Sequence, residues 1–382
     1  MIDFLIYQGP IIFVLVIVFI LGSIIGSLLN VCIARLPREK SIAWPGSRCG
    51  KCFQPIRWYD NLPLLSYWIL GGRCRTCKAR FSIRYFLIEL LVGVAFVGLF
   101  YLEVIRNQHE MPEFRNAVRD LQFEPFSWQN RAYFLFFLHR AVLFCLLLTA
   151  ALCDLEDRTI PLSVTLPGTL IGLIFAIAFP WPWPNPPAQA MPLPLVRSAS
   201  LNQWSMMMGP VKPGLYPWPV WGPPPTGLPA GSWQLGLFTG LAGALAGTFL
   251  LRAVKFLFEK GLGKEALGLG DADLMMMVGA FLGWQVVVIA FLVGAVASLF
   301  LALPQLIFRG DNSLPFGPGL AVGTLITWLC WKWIGPELQP LFFNDVLLLI
   351  LFGGSGMMLF SLALLMRTFR PPAKSMEGGS GQ

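Results

Sequence analysis

Long apolar runs dominate this chain, and they are longer than the core helices or strands of a soluble domain need. Windows of about 20 apolar residues match the length a helix needs to cross hydrocarbon. They predict spans at residues 11–33, 85–105, 132–153, 162–179 and 235–258. Residues 274–308 stay apolar for 35 positions, which is long for one helix, and Gly283 offers a break into two legs. The last two runs are 320–333 and 346–365. The reading is an all-α polytopic integral membrane protein with nine hydrophobic segments, or eight if Gly283 does not break the long run.

The runs divide the chain. Residues 1–33 hold the first span, 34–83 a polar loop, 84–179 spans two to four, 233–370 the remaining spans, and 371–382 a flexible tail. Residues 180–232 are rich in Pro, Trp and Gly, with Arg197 and Lys212 as their only charges. Such a stretch cannot form a regular helix. It is expected as an outer-face insert resting at the headgroup interface through Trp181, Trp183, Trp218 and Trp221. No inverted repeat with paired broken helices is visible, which argues against a common transporter plan.

Composition agrees with membrane residence: 56% of residues are hydrophobic and 13% charged, against about 25% charged in a typical soluble domain. The net charge of +8 raises nucleic-acid binding as a possibility, but the basic residues fall among membrane spans, so none is expected. Ten Lys or Arg residues and only Glu39 and Asp60 as acids lie between Ala34 and Ile83. A short basic loop beside an apolar span marks the cytoplasmic side. Charge on that side also favours the break at Gly283, because two legs return Arg309, Arg367, Arg370 and Lys374 to it.

Four of the eight cysteines sit in this loop, as Cys49-Gly-Lys-Cys52 and Cys74-Arg-Thr-Cys77 with 21 residues between the pairs. Cytoplasmic thiols stay reduced, so metal is favoured over disulfide. Two CxxC turns supply the four soft donors of a tetrahedral zinc ribbon, with no coordination site left open for catalysis. Redox-active pairs are the alternative. Cys32, Cys145, Cys153 and Cys330 lie in or beside spans and are expected to pack.

The acids carry the chemistry. His109 and His139 are the only histidines, which argues against a Ser-His-Asp triad or an HExxH site on the cytoplasmic side. Arg140, in an apolar run, has two readings: snorkelling outward, which is favoured, or pairing with an acid. Asp154 closes the third span, where a carboxylate opposes the helix dipole. It is either a solvated loop acid or a functional one. Asp271 follows Gly268 and Gly270, whose missing side chains admit a ligand, and is either a helix N-cap or a second functional acid. Both fall at one membrane face, with Asp157 and Asp273 as local rivals. Two carboxyls brought close share a proton, one activating water and the other donating to a carbonyl. This is aspartic-protease chemistry at a membrane edge.

An ordered series of motifs now resembles the type IV prepilin peptidases, a family of GxGD membrane aspartyl proteases. It comprises Gly26-Ser27-Leu28-Leu29-Asn30-Val31 with Arg35-Leu36-Pro37, the run from Tyr59 to Tyr67, and Arg84-Tyr85 with Glu89. Gly268-x-Gly270-Asp271 and Leu314-Pro315-Phe316-Gly317-Pro318 follow. The resemblance implies catalysis by Asp154 and Asp271 in a bacterial inner-membrane enzyme whose active site faces the cytoplasm. Its substrates would be prepilins or pseudopilins, met within membrane lipid and cut after a glycine. It also implies N-methylation of the new terminus from S-adenosylmethionine, associated with residues 34–83. Gly26, Ser27, Asn30 and Arg35 are then candidates for the methyl-donor site, with helix packing as the equal alternative. The chain departs from the family pattern at Asp273, where many relatives have Lys, at Gly50 in place of a frequent Pro, and in the long insert. A peptidase lacking methylation, and a zinc-bearing transporter or assembly scaffold, are the competing readings.

Overall fold

The computed structural model describes residues 2–181, 183, 195–198, 203–206, 227–262, 268–309, 316–342 and 345–368. The expectations for Trp218, Trp221, Leu314, Pro315, Arg370, Lys374 and the tail fall outside them. Helix α1 runs Ile2–Arg35, a short α2 Leu65–Ile69 and α3 Arg84–Leu99. Then come α4 Ala117–Phe123, α5 Arg131–Asp157 and α6 Leu162–Ala178. The second half holds α7 Trp233–Leu262, α8 Leu269–Leu282, α9 Trp284–Arg309, α10 Gly317–Leu329, α11 Trp331–Phe342 and α12 Asp345–Thr368.

All nine apolar segments are helices, and among the described residues five are long and apolar enough to cross a membrane. The break between α8 and α9 is at Gly283, whose φ of 83° suits glycine and strains other residues. The eighth segment, expected over 320–333, stops at Leu329 and turns into the amphipathic α11, where Lys332 pairs with Glu110 at 2.7 Å. Helix α4 also escaped the sequence reading because it is too short to leave a periodic signal. Among the described residues of the insert, β1 Leu195–Ser198 pairs antiparallel with β2 Gln203–Met206. Trp181 corrects an expectation: its ring is buried against Ala176 and Leu235, so protein covers it, while the partly buried Trp183 stacks on Phe136.

Glycines allow the helices to approach closely. A Cβ on Gly243 of α7 would strike the Gly279 carbonyl of α8, and the reverse holds. A Cβ on Gly323 of α10 would strike the Gly294 backbone of α9, and one on Gly22 of α1 would come 2.9 Å from the Gly93 Cα of α3. Lipid tails are as apolar as leucine, so backbone proximity and packing replace the hydrophobic effect as glue between such helices.

Arg140 does not snorkel. It is 0% exposed, with its Nε 3.7 Å from Glu103 and its guanidinium over Phe136 and Trp328. Glu103, on a π-helical turn after α3, accepts the Trp328 indole N–H at 2.6 Å, and buried His109 lies 3.7 Å away. The position faces the bundle interior, where its charge has no path to water and must be paired. This polar knot fastens the far end of α10.

At the other end, ion pairs gather helix termini that are distant in sequence. Arg38, just after α1, bonds Asp157 at 3.2 Å, and Arg84, opening α3, bonds Glu156 at 2.6 Å. The ends of α1 and α5 and the start of α3 therefore share one end of the bundle.

Candidate functional site

Asp154 lies one turn before the end of α5 and Asp271 in the first turn of α8. They are 8% and 7% exposed, nearly buried for groups that are seldom buried without partners. The chain after α5 delivers Ile160 against α8, where a Cβ on Gly270 would lie 3.0 Å from the Ile160 Cβ. Gly270 thus makes room for this chain's own Ile160. Gly268 stands in open surroundings. Asp271 is not the N-cap: Gly268 holds that position, and Asp271 stands at the third position of the helix. Ile160, six residues after Asp154, touches Gly270, next to Asp271, so the end of α5 and the start of α8 lie at one end of the bundle.

Helix α10 completes it. The Gly317 N–H donates to Asp154 Oδ2 at 2.9 Å, across 163 positions of sequence. A Cβ at Gly317 would sit 2.8 Å from that oxygen, so only glycine lets the helix start come this near. The motif around Gly317 was visible in the sequence, but its contact with Asp154 was not. Among the described residues no cation is ion-paired with Asp154 or Asp271. The rivals differ: Asp157 is held by Arg38, and Asp273 lies 4.0 Å from Arg252.

A second site lies beneath the basic loop. A cavity of about 620 Å³ opens between α1, α3 and the loop, within the range of small-molecule sites. Ser27, Asn30 and Arg35 line it, together with Asn61, Tyr85 and Glu89. Gly26 does not line it. It seats α1 against α3, where a Cβ would come 2.8 Å from the Glu89 Cα. Arg35 Nη1 donates to the carbonyls of Ser41 and Ile42 and holds the loop's entry. Glu89 was noted only as part of a motif. An acid inside an apolar span was itself the signal of function.

The four loop cysteines converge as their spacing predicted. Their sulfurs all lie within 4.8 Å of one another, with Cys49–Cys77 at 3.7 Å and Cys52–Cys74 at 4.0 Å. Zinc–sulfur bonds of about 2.3 Å give tetrahedral edges of about 3.8 Å, so the set fits the metal. Backbone N–H groups of Cys52 and Lys51 hold the Cys49 thiol down to about 6, and those of Cys77 and Thr76 lower Cys74, which favours thiolate at these two. At Cys52 the Gln54 N–H lowers the thiol, but burial and the neighbouring sulfurs outweigh it and push the thiol up to about 11. The second knuckle is tied to the cavity wall: Arg75 grips Asp60 through two bonds at 2.8 and 2.6 Å and holds that carboxyl below its usual range.

Comparisons with known proteins bear on both sites. Residues 20–102 match the family model of the bacterial peptidase A24 N-terminal domain, a stretch that takes in the C-terminal part of α1, the cysteine loop and α3. The chain is 31% identical over 301 residues to the prepilin leader peptidase/N-methyltransferase of Myxococcus xanthus, covering 78% of this chain and 65% of that protein. It is 27% identical to the protein of the same name from Pseudomonas putida, covering 82% of this chain and 88% of the relative. For the Pseudomonas aeruginosa protein of that name the figures are 26%, 85% and 91%. No solved structure matches. Through most of its length, the chain is similar to proteins named prepilin leader peptidase/N-methyltransferase.

Proposed function

We propose that this protein is a membrane aspartyl endopeptidase that removes the leader of type IV prepilins or pseudopilins and then N-methylates the new terminus. The observation that carries this reading is the burial of Asp154 and Asp271 at one end of a bundle of apolar helices, with no cation ion-paired to either among the described residues. The names of its relatives supply the substrate class.

The two carboxyls share one proton, since a second negative charge at that depth is costly. The ionised carboxyl takes a proton from water, whose oxygen attacks the carbonyl carbon of the leader's last glycine. The protonated carboxyl donates to the carbonyl oxygen. Collapse breaks the C–N bond, and the departing amine takes up the proton. The Gly317 N–H holds one oxygen of Asp154 in place, leaving the other for water. The basic loop marks this end as cytoplasmic. A substrate's apolar helix docks among the spans while its leader reaches the acids.

Cys49, Cys52, Cys74 and Cys77 would hold a structural Zn²⁺ that cross-links the loop. The cavity beside it would hold S-adenosylmethionine, which supplies an electrophilic methyl group when bound. Ser27, Asn30 and Arg35 line that space.

The test is reconstitution with a model prepilin, S-adenosylmethionine and mass spectrometry of the product. Wild-type protein is expected to yield a shortened chain carrying one added methyl group. Asp154→Asn and Asp271→Asn are expected to leave the leader in place. Normal processing by either variant would sink the aspartyl assignment.

A further inference from the structure

The wall of the cavity under the loop, which Arg35 and Arg48 also line, carries Glu89, with which no cation is ion-paired among the described residues, and Asn30, whose Oδ1 is unbonded. Asn30 is 3% exposed, and its Nδ2 donates to the Tyr85 carbonyl at 3.0 Å. Because that partner can only accept, the amide orientation is set and Oδ1 must point away from it. Oδ1 is buried without any hydrogen-bond partner, a costly arrangement in a finished protein interior. Glu89 lies on the same wall. It accepts the Leu64 N–H at 2.8 Å, yet no Lys or Arg is ion-paired with it among the described residues. The other acid of the cavity, Asp60, is already neutralised by Arg75. Leu64 holds its N–H on Glu89 at a φ of 61°, a backbone region unfavourable for leucine.

The wall chemistry selects the ligand. Two acceptors, one of them anionic, call for a cationic donor. Ile24 and Leu28 of α1 also line the cavity, and both are exposed on their outer flank. The cavity therefore opens along an apolar surface, where the head of another apolar helix can lie.

We infer that Glu89 and Asn30 receive the α-ammonium group at the head of the trimmed substrate helix, and that Glu89 removes its proton so that the nitrogen can be methylated. The inference rests on the methyl-transfer reading above. An α-ammonium has no lone pair, and its ordinary pKa of about 8 leaves little free amine at neutral pH. Transfer of one proton to the Glu89 carboxylate frees the pair. The nitrogen then bonds the methyl carbon as the sulfonium S–C bond breaks, and the electrons of that bond return to sulfur. The product is a secondary ammonium and a neutral thioether. Glu89 gives its proton to water before the next turnover.

Glu89→Gln tests this, because the amide oxygen still accepts the Leu64 N–H while the charge and the base are lost. The probe is a synthetic peptide that begins with a free amine at the head of an apolar helix, with an N-acetylated copy as control. Without any methyl donor, wild-type protein in nanodiscs should bind the free-amine peptide more tightly by about tenfold or more. Glu89→Gln should bind the two alike. With S-adenosylmethionine added, the variant should methylate about a hundredfold more slowly at pH 7. The deficit should shrink as pH rises through about 8, where free amine forms unaided. Retained preference for the free amine, or an equal deficit at every pH, overturns the proposal. A wild-type protein that adds no methyl group overturns the underlying reading instead, and the two failures are told apart by which protein is inactive.

Discussion

The acid pair and the cavity occupy the same end of the bundle but are built by different means. Helices alone make the first. Helices α5, α8 and α10 bring Asp154, Asp271 and Gly317 together, and close glycine contacts between α7 and α8 and between α9 and α10 fix their positions. The second has helices on one side and a loop on the other, and that loop is stiffened by four cysteines and by Arg75 on Asp60. On the proposed reading, peptide hydrolysis needs two carboxyls held still with room for one water, and methyl transfer needs a larger cavity with a stiff wall. Two surface ion pairs, Arg38–Asp157 and Arg84–Glu156, join the regions.

The comparison breaks most sharply at the acids. Asp154→Asn should reduce leader removal by about a thousandfold or more, within the range for loss of a general acid or base. A peptide supplied without its leader bypasses the defect and should still be methylated, which mass spectrometry reads directly.

Next in size is the metal. Replacing Cys49 and Cys74 with Ser should strip the zinc and raise amide exchange across residues 46–83. Methylation should fall by about ten- to a hundredfold, as for lost metal-site support elsewhere. Exchange within α5, α8 and α10 should not change. A zinc-free variant with normal loop protection would refute the structural role of the metal.

Gly317→Ala comes third. The new methyl group must push α10 away from Asp154, which costs about 1–3 kcal/mol if the hydrogen bond is lost without replacement. Leader removal should slow by about tenfold or more while methylation holds. Equal loss of both activities would show that the two regions are not independently built.

The smallest effect is expected at the link. Glu156→Gln removes a partly exposed pair worth about 1 kcal/mol or less, so the melting temperature should move by no more than a few degrees. Coupling between the steps is the informative readout: release of cleaved but unmethylated product should rise if the pair holds the two regions in register.

Much of this molecule is written in local sequence. A run of apolar residues specifies a spanning helix because backbone groups in hydrocarbon must bond within their own segment. The break at Gly283 was legible for a similarly local reason, since a positive φ is where glycine is free and other residues are strained. The cysteine quartet was legible through its spacing, because a CxxC turn presents both sulfurs to one point whatever surrounds it. Asp154 and Asp271 stood out because so few charges compete with them.

Contacts between distant segments were beyond that reach. No pattern near Arg140 names Glu103 as its partner, and the favoured snorkelling was wrong because helix rotation in the bundle, not local hydropathy, decides which face meets lipid. Gly317 was seen as part of a motif, yet its bond to Asp154 depends on how α10 packs against α5. Gly26 and Asn30 were candidates of one kind in the sequence. In the fold one is a spacer between helices and the other lines a cavity while keeping a buried, unbonded oxygen. Residue type and spacing determined which elements form and which groups can react. Only tertiary packing decided which of those groups meet, because burial, pairing and open valence belong to neighbours that the linear chain keeps apart.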